Sequence, residues 1–339
     1  MTALVVERTV GGIRVGVRPP HPERTALLEA RGAWLFWDVL DRQPHPAAEI
    51  FDARAAANWL WEMYGPDAAV AVLEDAAQVE TAWESPVLDA ARDLAHLRWA
   101  EAWWPASYAA GVPALPVGLL RAEIAWRASG TEHLLDDEAA VERALSAVDL
   151  GALEAFEGAG ALRSNLADLA EDYGAEPVRR VAPQPEDYAL AAGGDHVAGR
   201  TLASGSTPVD WGRVRQGRVD AAAEATWRLA QGSGGLVVVV EVPAAPGTDR
   251  GPLGARIGGA ALDVRLDLRY DPSTNTYTGE TDVPQGFLML RAAERRVEVH
   301  EPGFSEAVPV ERHAAIIAYA RGRLTAPDAT ITERAAGSA

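Results

Sequence analysis

The sequence predicts an α+β protein: an acidic, tryptophan-rich, mainly helical N-terminal region, then a β-sandwich-like C-terminal domain closed by a helix. Residues 261–270 alternate strictly, with Leu262 and Val264 on one side and Asp263 and Arg265 on the other. A period of two is that of a strand with one apolar face. The valine-rich run at 236–240 indicates a strand buried on both faces. Helix start and stop signals recur between residues 51 and 173, which favours helices there.

The first elements follow from local patterns. Residues 2–18 predict a β-hairpin, because two β-rich segments flank Gly11 and Gly12, and glycine adopts the positive φ of a tight turn. Residues 23–41 have a mixed apolar pattern that we interpret as a helix. Residues 51–65 predict a helix capped by Asp52 and ended at Gly65. A helix beginning at Ser85 ends before Pro105, and further helices are predicted at 67–77, 115–129, 138–148, 152–158 and 163–173.

The character of the chain changes between residues 175 and 205, where prolines and glycines are frequent. We therefore predict three parts: a mainly helical domain with an N-terminal β-hairpin at 1–180, a β-sandwich-like domain at 205–325, and a frayed tail at 326–339. Strands are predicted at 223–230, 236–242, 261–270, 276–281, 287–290 and 296–300, with a last helix at 310–324. Short strands at such spacing are typical of a β-sandwich.

Two residue types are missing from the 339 residues. There is no cysteine, and all 31 basic residues are arginine. The lack of cysteine excludes disulfides, thiolate zinc sites, iron–sulfur clusters and cysteine nucleophiles. The lack of lysine excludes a Schiff base, a pyridoxal phosphate anchor and a phosphate-loop lysine. We expect no cofactor.

The net charge of −18 is uneven. Residues 1–200 hold 32 acidic residues against 16 arginines, whereas residues 201–339 hold 17 against 15. Such a surface opposes nucleic-acid binding and is compatible with a basic protein partner. The sequence shows neither a signal peptide nor a run of about 18 apolar residues, so we expect a cytoplasmic protein with no membrane partner.

Two constellations favour an enzyme as the alternative function. Asp195 and His196 lie in a glycine-rich loop, where a histidine serves as a general base or forms part of a polar turn. His133 with Asp136, Asp137 and Glu138 suits a divalent metal, although acidic residues also cluster at helix starts because of the helix dipole. Either set would support a hydrolase or a metal-dependent enzyme.

Aromatic residues favour a binding function instead. Nine of the eleven tryptophans precede residue 175. We name Trp103, Trp104, Trp211 and Arg213 as interaction anchors, because tryptophan and arginine dominate the energetics of protein interfaces. The alternative for the tryptophans is that they fill a helical core.

Two phrases carry a family resemblance: RWAEAWWPAS at residues 98–107 and VDWGRV at residues 209–214. They resemble segments of uncharacterised actinobacterial proteins associated with MoxR-type ATPase and von Willebrand A-domain systems. The resemblance covers about a third of the chain, from about residue 90 to 130 and again after 208, and carries no active-site residues. It implies a partner in an ATPase system. The predicted function is a non-enzymatic protein-interaction adaptor or scaffold of a bacterial multi-component system.

Overall fold

The computed structural model describes residues 2–41, 43–175, 200–232, 234–247, 250–259, 262–291, 294–301 and 313–338. They form an α+β structure with two antiparallel sheets and divide into two compact units. The first unit holds the described residues within Met1–Ala102, Pro116–Arg179 and Leu324–Ser338, and the second those within Trp103–Leu115 and Arg180–Arg323. Each unit is therefore discontinuous in sequence. The predicted boundaries at 1–180 and 205–325 remain predictions.

The first unit is built on a six-stranded antiparallel sheet. Its strands are β1 Thr2–Thr9, β2 Gly12–Val15, β3 Thr25–Ala30, β4 Ala33–Asp38, β5 Ala47–Ile50 and β6 Gln78–Thr81. Their order is β3-β4-β5-β2-β1-β6. One face is buried along every strand, as Leu28, Leu35 and Val15 show, and the opposite face is mostly open to solvent. The sheet therefore has one dry face and one wet face.

Helices complete the first unit. They are α1 Ala53–Ala56, α2 Leu60–Tyr64, α3 Pro66–Leu73, α4 Pro86–Trp103 (whose last residue belongs to the second unit), α5 Val117–Ser129, α6 Ala140–Ser146, α7 Gly160–Asp172 and, near the C-terminus, α9 Ile331–Gly337. α9 lies in the segment predicted as a frayed tail. The carboxylate of Glu123 accepts hydrogen bonds from the backbone N–H groups of Ile331 and Thr332, at 2.9 and 2.7 Å. These two hydrogen bonds satisfy two of the backbone N–H groups that have no partner within the helix at its N-terminus.

The predicted fold class is wrong in its first half, because the N-terminal region is rich in strands. Residues 23–41, predicted as a helix, contain the β3–β4 hairpin, in which Leu28 pairs with Leu35 and Gly32 turns at φ +77°. Inward positions alternate as a strand requires. The outward positions Leu27 and Trp34 are also apolar, so the period of two is hidden in the sequence.

The described residues of the second unit form one curled sheet, so the predicted β-sandwich is also wrong. Its strands are β7 Arg200–Pro208, β8 Glu224–Gln231, β9 Leu236–Pro243, β10 Leu253–Gly259, β11 Leu262–Asp271, β12 Thr276–Val283 and β13 Arg296–His300, followed by helix α8 His313–Arg323. Their order is β13-β10-β11-β12-β9-β8-β7. The first and last strands approach each other, since the backbone N–H of Val297 donates to Oγ1 of Thr207 at 3.3 Å. A sheet that curls on itself encloses its apolar face without a second sheet.

Several predicted elements of this unit are confirmed. The alternating stretch forms β11 and makes a hairpin with β12 through a turn in which Asn275 has φ +53°. The last helix is confirmed at α8. In the segment predicted as a strand at 287–290, residues 287–289 instead belong to a short 3-10 helix, Gln285–Met289, and Leu290 directly follows it. Among the described residues, no helix has both the length and the apolar character needed to cross a bilayer.

Candidate interaction surface

The four predicted anchors lie in the second unit, and three of them are tryptophans near one another. Trp211 donates from Nε1 to the carbonyl oxygen of Trp103 at 3.3 Å. Trp104 is fully buried and donates from Nε1 to the carbonyl oxygen of Pro113 at 2.9 Å. Trp211 is buried as well. The structure therefore gives the side chains of Trp104 and Trp211 contacts inside the unit.

Arg213, the fourth anchor, is held by two carboxylates. Its Nε lies 3.3 Å from Oδ2 of Asp210, and its Nη1 lies 3.2 Å from Oε2 of Glu298. The side chain is 16% exposed. The hypothesis that the four residues also contact a partner stays a prediction.

The cluster considered for the alternative, metal-dependent function is not assembled. Nε2 of His133 lies 2.6 Å from Oε2 of Glu62, outside the predicted set. Asp137 forms an ion pair with Arg143, and Oε1 of Glu138 lies 4.0 Å from Nη2 of Arg31. In the described part of the chain, no three histidine or acidic side chains are grouped so that they could hold a metal ion. The other enzymatic candidates, Asp195 and His196, lie outside the described residues.

A buried serine–aspartate pair was missed by sequence reasoning. Oγ of Ser107 donates to Oδ1 of Asp220 at 2.5 Å, and the backbone N–H of Tyr108 donates to Oδ2 at 2.8 Å. Both side chains are buried. Within the described ranges no histidine is hydrogen-bonded to the pair. Asp220 instead accepts hydrogen bonds from the turn that begins at Ser107 and holds it in place. The two residues are 113 positions apart, and no local pattern connects them.

The open face of the first sheet carries an exposed aromatic pair. Trp34 on β4 is 42% exposed, and Phe51, which directly follows β5, is 53% exposed. Their ring centroids are 5.6 Å apart at an interplanar angle of 65°. Leu27 on β3 is 39% exposed and lies on the same face. Exposed apolar residues that adjoin one another mark interaction sites more often than scattered ones do.

Carboxylates stand on both sides of this aromatic pair. In the strand ladder, Trp34 is the direct partner of Glu29 on β3 and of Glu49 on β5. Side chains of directly opposed residues in antiparallel strands project from the same face within about 5.5 Å. The indole of Trp34 is thus flanked by two acidic side chains.

The same face already holds guanidinium groups of the chain itself, and Nε of Arg14 on β2 lies 3.9 Å from Oε1 of Glu49. The Arg18 guanidinium carbon lies 4.7 Å from the centroid of the Phe36 ring, and its Nη1 lies 3.7 Å from Oε1 of Glu49. Phe36 pairs with Leu27 across the ladder and so belongs to this face. We call Leu27, Glu29, Trp34, Phe36, Glu49 and Phe51 together the Trp34 face.

The ring of Trp34 and the carboxylate of Glu29 have no such cation. Among the described residues, no arginine lies over the Trp34 ring and none forms an ion pair with Glu29. On the Trp34 face, Arg18 of the chain itself therefore occupies the pair of Phe36 and Glu49. No arginine of the described residues occupies the pair of Trp34 and Glu29 in this way. The signal for this surface in the sequence is the apolar outward positions of β3 and β4, in the segment 23–41 for which the predicted helix is wrong.

Comparisons of the chain with protein-family models, with curated proteins and with solved structures give no match.

Proposed function

We propose that this protein is a non-enzymatic interaction adaptor that binds a basic segment of another protein through the Trp34 face. The observation that carries the proposal is the exposed pair of Trp34 and Phe51 between Glu29 and Glu49. An indole ring attracts a cationic side chain through its quadrupole, and a neighbouring carboxylate adds an ion pair. An arginine or lysine of the partner satisfies both.

Arg18 supports the choice of a cationic side chain. It lies over Phe36 and near Glu49, so this face accommodates a guanidinium between a ring and a carboxylate. Trp34 with Glu29 repeats that arrangement one strand pair away. Because tryptophan is the strongest cation–π acceptor, the open pair suits a second cation at least as well as the filled one.

The charge of the chain supports a basic partner over an acidic one. Residues 1–200, which contain the Trp34 face, hold twice as many acidic residues as arginines. A field of this sign attracts cationic segments and repels nucleic-acid phosphates. The partner we propose is therefore a protein, and the proposed setting is the cytoplasm.

The resemblance of residues 98–107 and 209–214 to proteins of MoxR ATPase and von Willebrand A-domain systems supports a role in a multi-component bacterial assembly. In this proposal the adaptor binds a basic segment of one component of such an assembly. Adaptor binding through a few aromatic anchors is common, since a few residues dominate interface energy.

The test is ¹⁹F NMR on the chain labelled with 5-fluorotryptophan, with the Trp34 resonance assigned by Trp34→Phe. A peptide of alternating arginine and serine is titrated in. We expect the Trp34 resonance to shift in a saturable way, and Glu29→Gln to weaken the affinity about threefold to tenfold. Trp34→Ala should weaken it by a similar factor, measured by calorimetry.

Trp61→Ala is the matched control, because Trp61 is 45% exposed on α2 and lies off the sheet face. We expect it to bind the arginine peptide as the wild type does. A peptide with glutamine in place of arginine should not shift the Trp34 resonance. Equal binding of the two peptides, or an unperturbed Trp34 resonance at saturation, would contradict the proposal.

A further inference from the structure

A cleft of about 220 Å³ lies at the edge of the first sheet. It is lined by Glu29, Arg98, Leu135, Asp137, Ala140 and Arg143. These residues come from β3, α4, α6 and the segment just before α6. The volume is below the range of drug-sized ligands, so the cleft suits a molecule of few atoms.

Arg98 is the unusual residue of this cleft. It lies on α4 and is partly buried, yet within the described residues its guanidinium makes no hydrogen bond and no ion pair. Burial lowers the pKa of Arg98, and the positive charge of Arg143 acts in the same direction. The carboxylates of Glu29 and Glu101 act in the opposite direction, but neither forms an ion pair with the guanidinium. A desolvated guanidinium without a direct partner is costly, because the charge has lost its water.

The other charges limit what can bind beside Arg98. Arg143 forms an ion pair with Asp137, so that carboxylate is already neutralised. Glu29 acts favourably on the charge of Arg98 but is not within ion-pair distance of it. A dianion such as phosphate would meet Glu29 as a like charge. A molecule with one negative and one positive group matches the cleft better.

We propose that the cleft binds a small zwitterion of the amino-acid type, its carboxylate between Arg98 and Arg143 and its ammonium group facing Glu29. A guanidinium fork binds a carboxylate through two parallel hydrogen bonds. Leu135 and Ala140 supply the apolar surface for a short aliphatic side chain. Glu29 belongs to both proposed sites, whereas Trp34 is not among the residues that line the cleft.

The test is an NMR titration of the full chain with ¹³C-labelled methyl groups, observing Leu135 and Ala140. We expect L-alanine to shift both resonances in a saturable way. N-acetyl-L-alanine lacks the ammonium charge and L-alaninamide lacks the carboxylate, so each should bind about tenfold more weakly. Inorganic phosphate should leave the two resonances unchanged.

Arg98→Gln should weaken L-alanine binding about tenfold or more, and Arg98→Lys less, since lysine keeps the charge without the fork. Arg92→Gln is the control on the same helix, where Arg92 pairs with Asp89 at the surface. Thermal unfolding of each variant shows that it is folded. Trp34→Ala should bind L-alanine normally, which separates this site from the Trp34 face.

The proposal is overturned if the wild type shows no saturable shift with L-alanine up to about 50 mM, a concentration at which even millimolar affinity saturates. It is also overturned if phosphate binds through Arg98 and L-alanine does not, or if folded Arg98→Gln binds L-alanine like the wild type.

Discussion

Asp220 carries its carboxylate in the interior of the second unit, where several donors surround it. Ser107 donates through its hydroxyl, and the backbone N–H groups of Tyr108 and Ala222 donate at 2.8 and 3.0 Å. A buried carboxylate is stable only when its lone pairs are satisfied in this way. One acidic side chain thereby joins the segment at 107–109 to the segment at 220–222.

Asp220→Asn should destabilise the protein, because the amide nitrogen replaces one acceptor with a donor that faces other donors. We expect a loss of about 2–4 kcal/mol in the free energy of unfolding, measured by urea denaturation. Asp271→Asn is the control, since Asp271 also accepts a backbone N–H, from Ser273, but lies at the surface. Asp271→Asn should lower the free energy of unfolding clearly less than Asp220→Asn does. An unchanged denaturation midpoint for Asp220→Asn would contradict this account of the pair.

His45 is a buried histidine whose surroundings favour the neutral ring. Nε2 lies 2.9 Å from the carbonyl oxygen of Trp83 and must donate to it, so Nδ1 is the unprotonated nitrogen. Nδ1 is buried and has no hydrogen-bond partner among the described residues. Burial lowers the pKa of His45 from its ordinary value of 6.5 and outweighs the hydrogen bond to the Trp83 carbonyl, which raises it; the charge of Arg92 also lowers the pKa.

This lowered pKa predicts a loss of stability in mild acid. Between the folded pKa and 6.5, the unfolded chain binds more protons at this position than the folded chain does. The free energy of unfolding should therefore fall as the pH drops below about 6.5, down to the folded pKa. His45→Gln keeps a donor for the Trp83 carbonyl but cannot be protonated. Its curve of unfolding free energy against pH should fall less steeply there, and parallel curves would refute the assignment.

At the scale of elements, the turn of the β1–β2 hairpin has one position that requires glycine. Gly12 has φ +135°, and a Cβ there would lie 2.0 Å from the carbonyl oxygen of Ile50 on β5. Gly11 has no positive φ, and the nearest atom to a Cβ there is 3.9 Å away. Sequence reasoning treated the two glycines alike, because the close approach of β5 is a tertiary contact.

The pair of glycines allows a matched comparison. Gly12→Ala should destabilise the first unit by about 2 kcal/mol or more, since both the backbone angle and the space are unfavourable. Gly11→Ala should be neutral or slightly stabilising, because alanine reduces the freedom of the unfolded chain. Thermal unfolding of both variants measures the difference. Equal melting temperatures would mean that β5 moves away from the turn at little cost.

Helices and strands were predictable where neighbouring residues in the sequence carried the whole signal, such as a cap or an alternating pattern. Helix α4 was predicted from Ser85, whose hydroxyl accepts the N–H of Leu88 at 3.0 Å as a cap should. Strand β11 was predicted because its outward residues are charged. The β3–β4 hairpin was missed because Leu27 and Trp34 face outward although they are apolar. These exposed apolar residues explain both the wrong helix prediction and our proposal of the Trp34 face as a binding site. A surface that binds a partner often breaks the rule that outward positions are polar.

At the scale of the whole molecule, the sequence did not show that the second unit includes the segment Trp103–Leu115. This segment is held by Asp220 and by the N–H of Ala221, which donates to the carbonyl oxygen of Ala106 at 3.0 Å. Contacts between residues more than a hundred positions apart leave no periodic signal. Composition, in contrast, acts on the whole chain, and the net charge of −18 is known from the sequence alone.

That charge predicts how the binding of a basic partner depends on salt. The Debye length falls from about 10 Å at 0.1 M to about 3 Å at 1 M ionic strength, so the attraction of the acidic residues in 1–200 is screened at high salt. We expect the affinity for the arginine–serine peptide to fall about fivefold or more over this range, measured by calorimetry. Trp34→Ala should lower the affinity at both salt concentrations and leave its salt dependence unchanged, because the ring contributes through direct contact. If the affinity of the wild type does not change with salt, the long-range field of the chain has no part in selecting the partner.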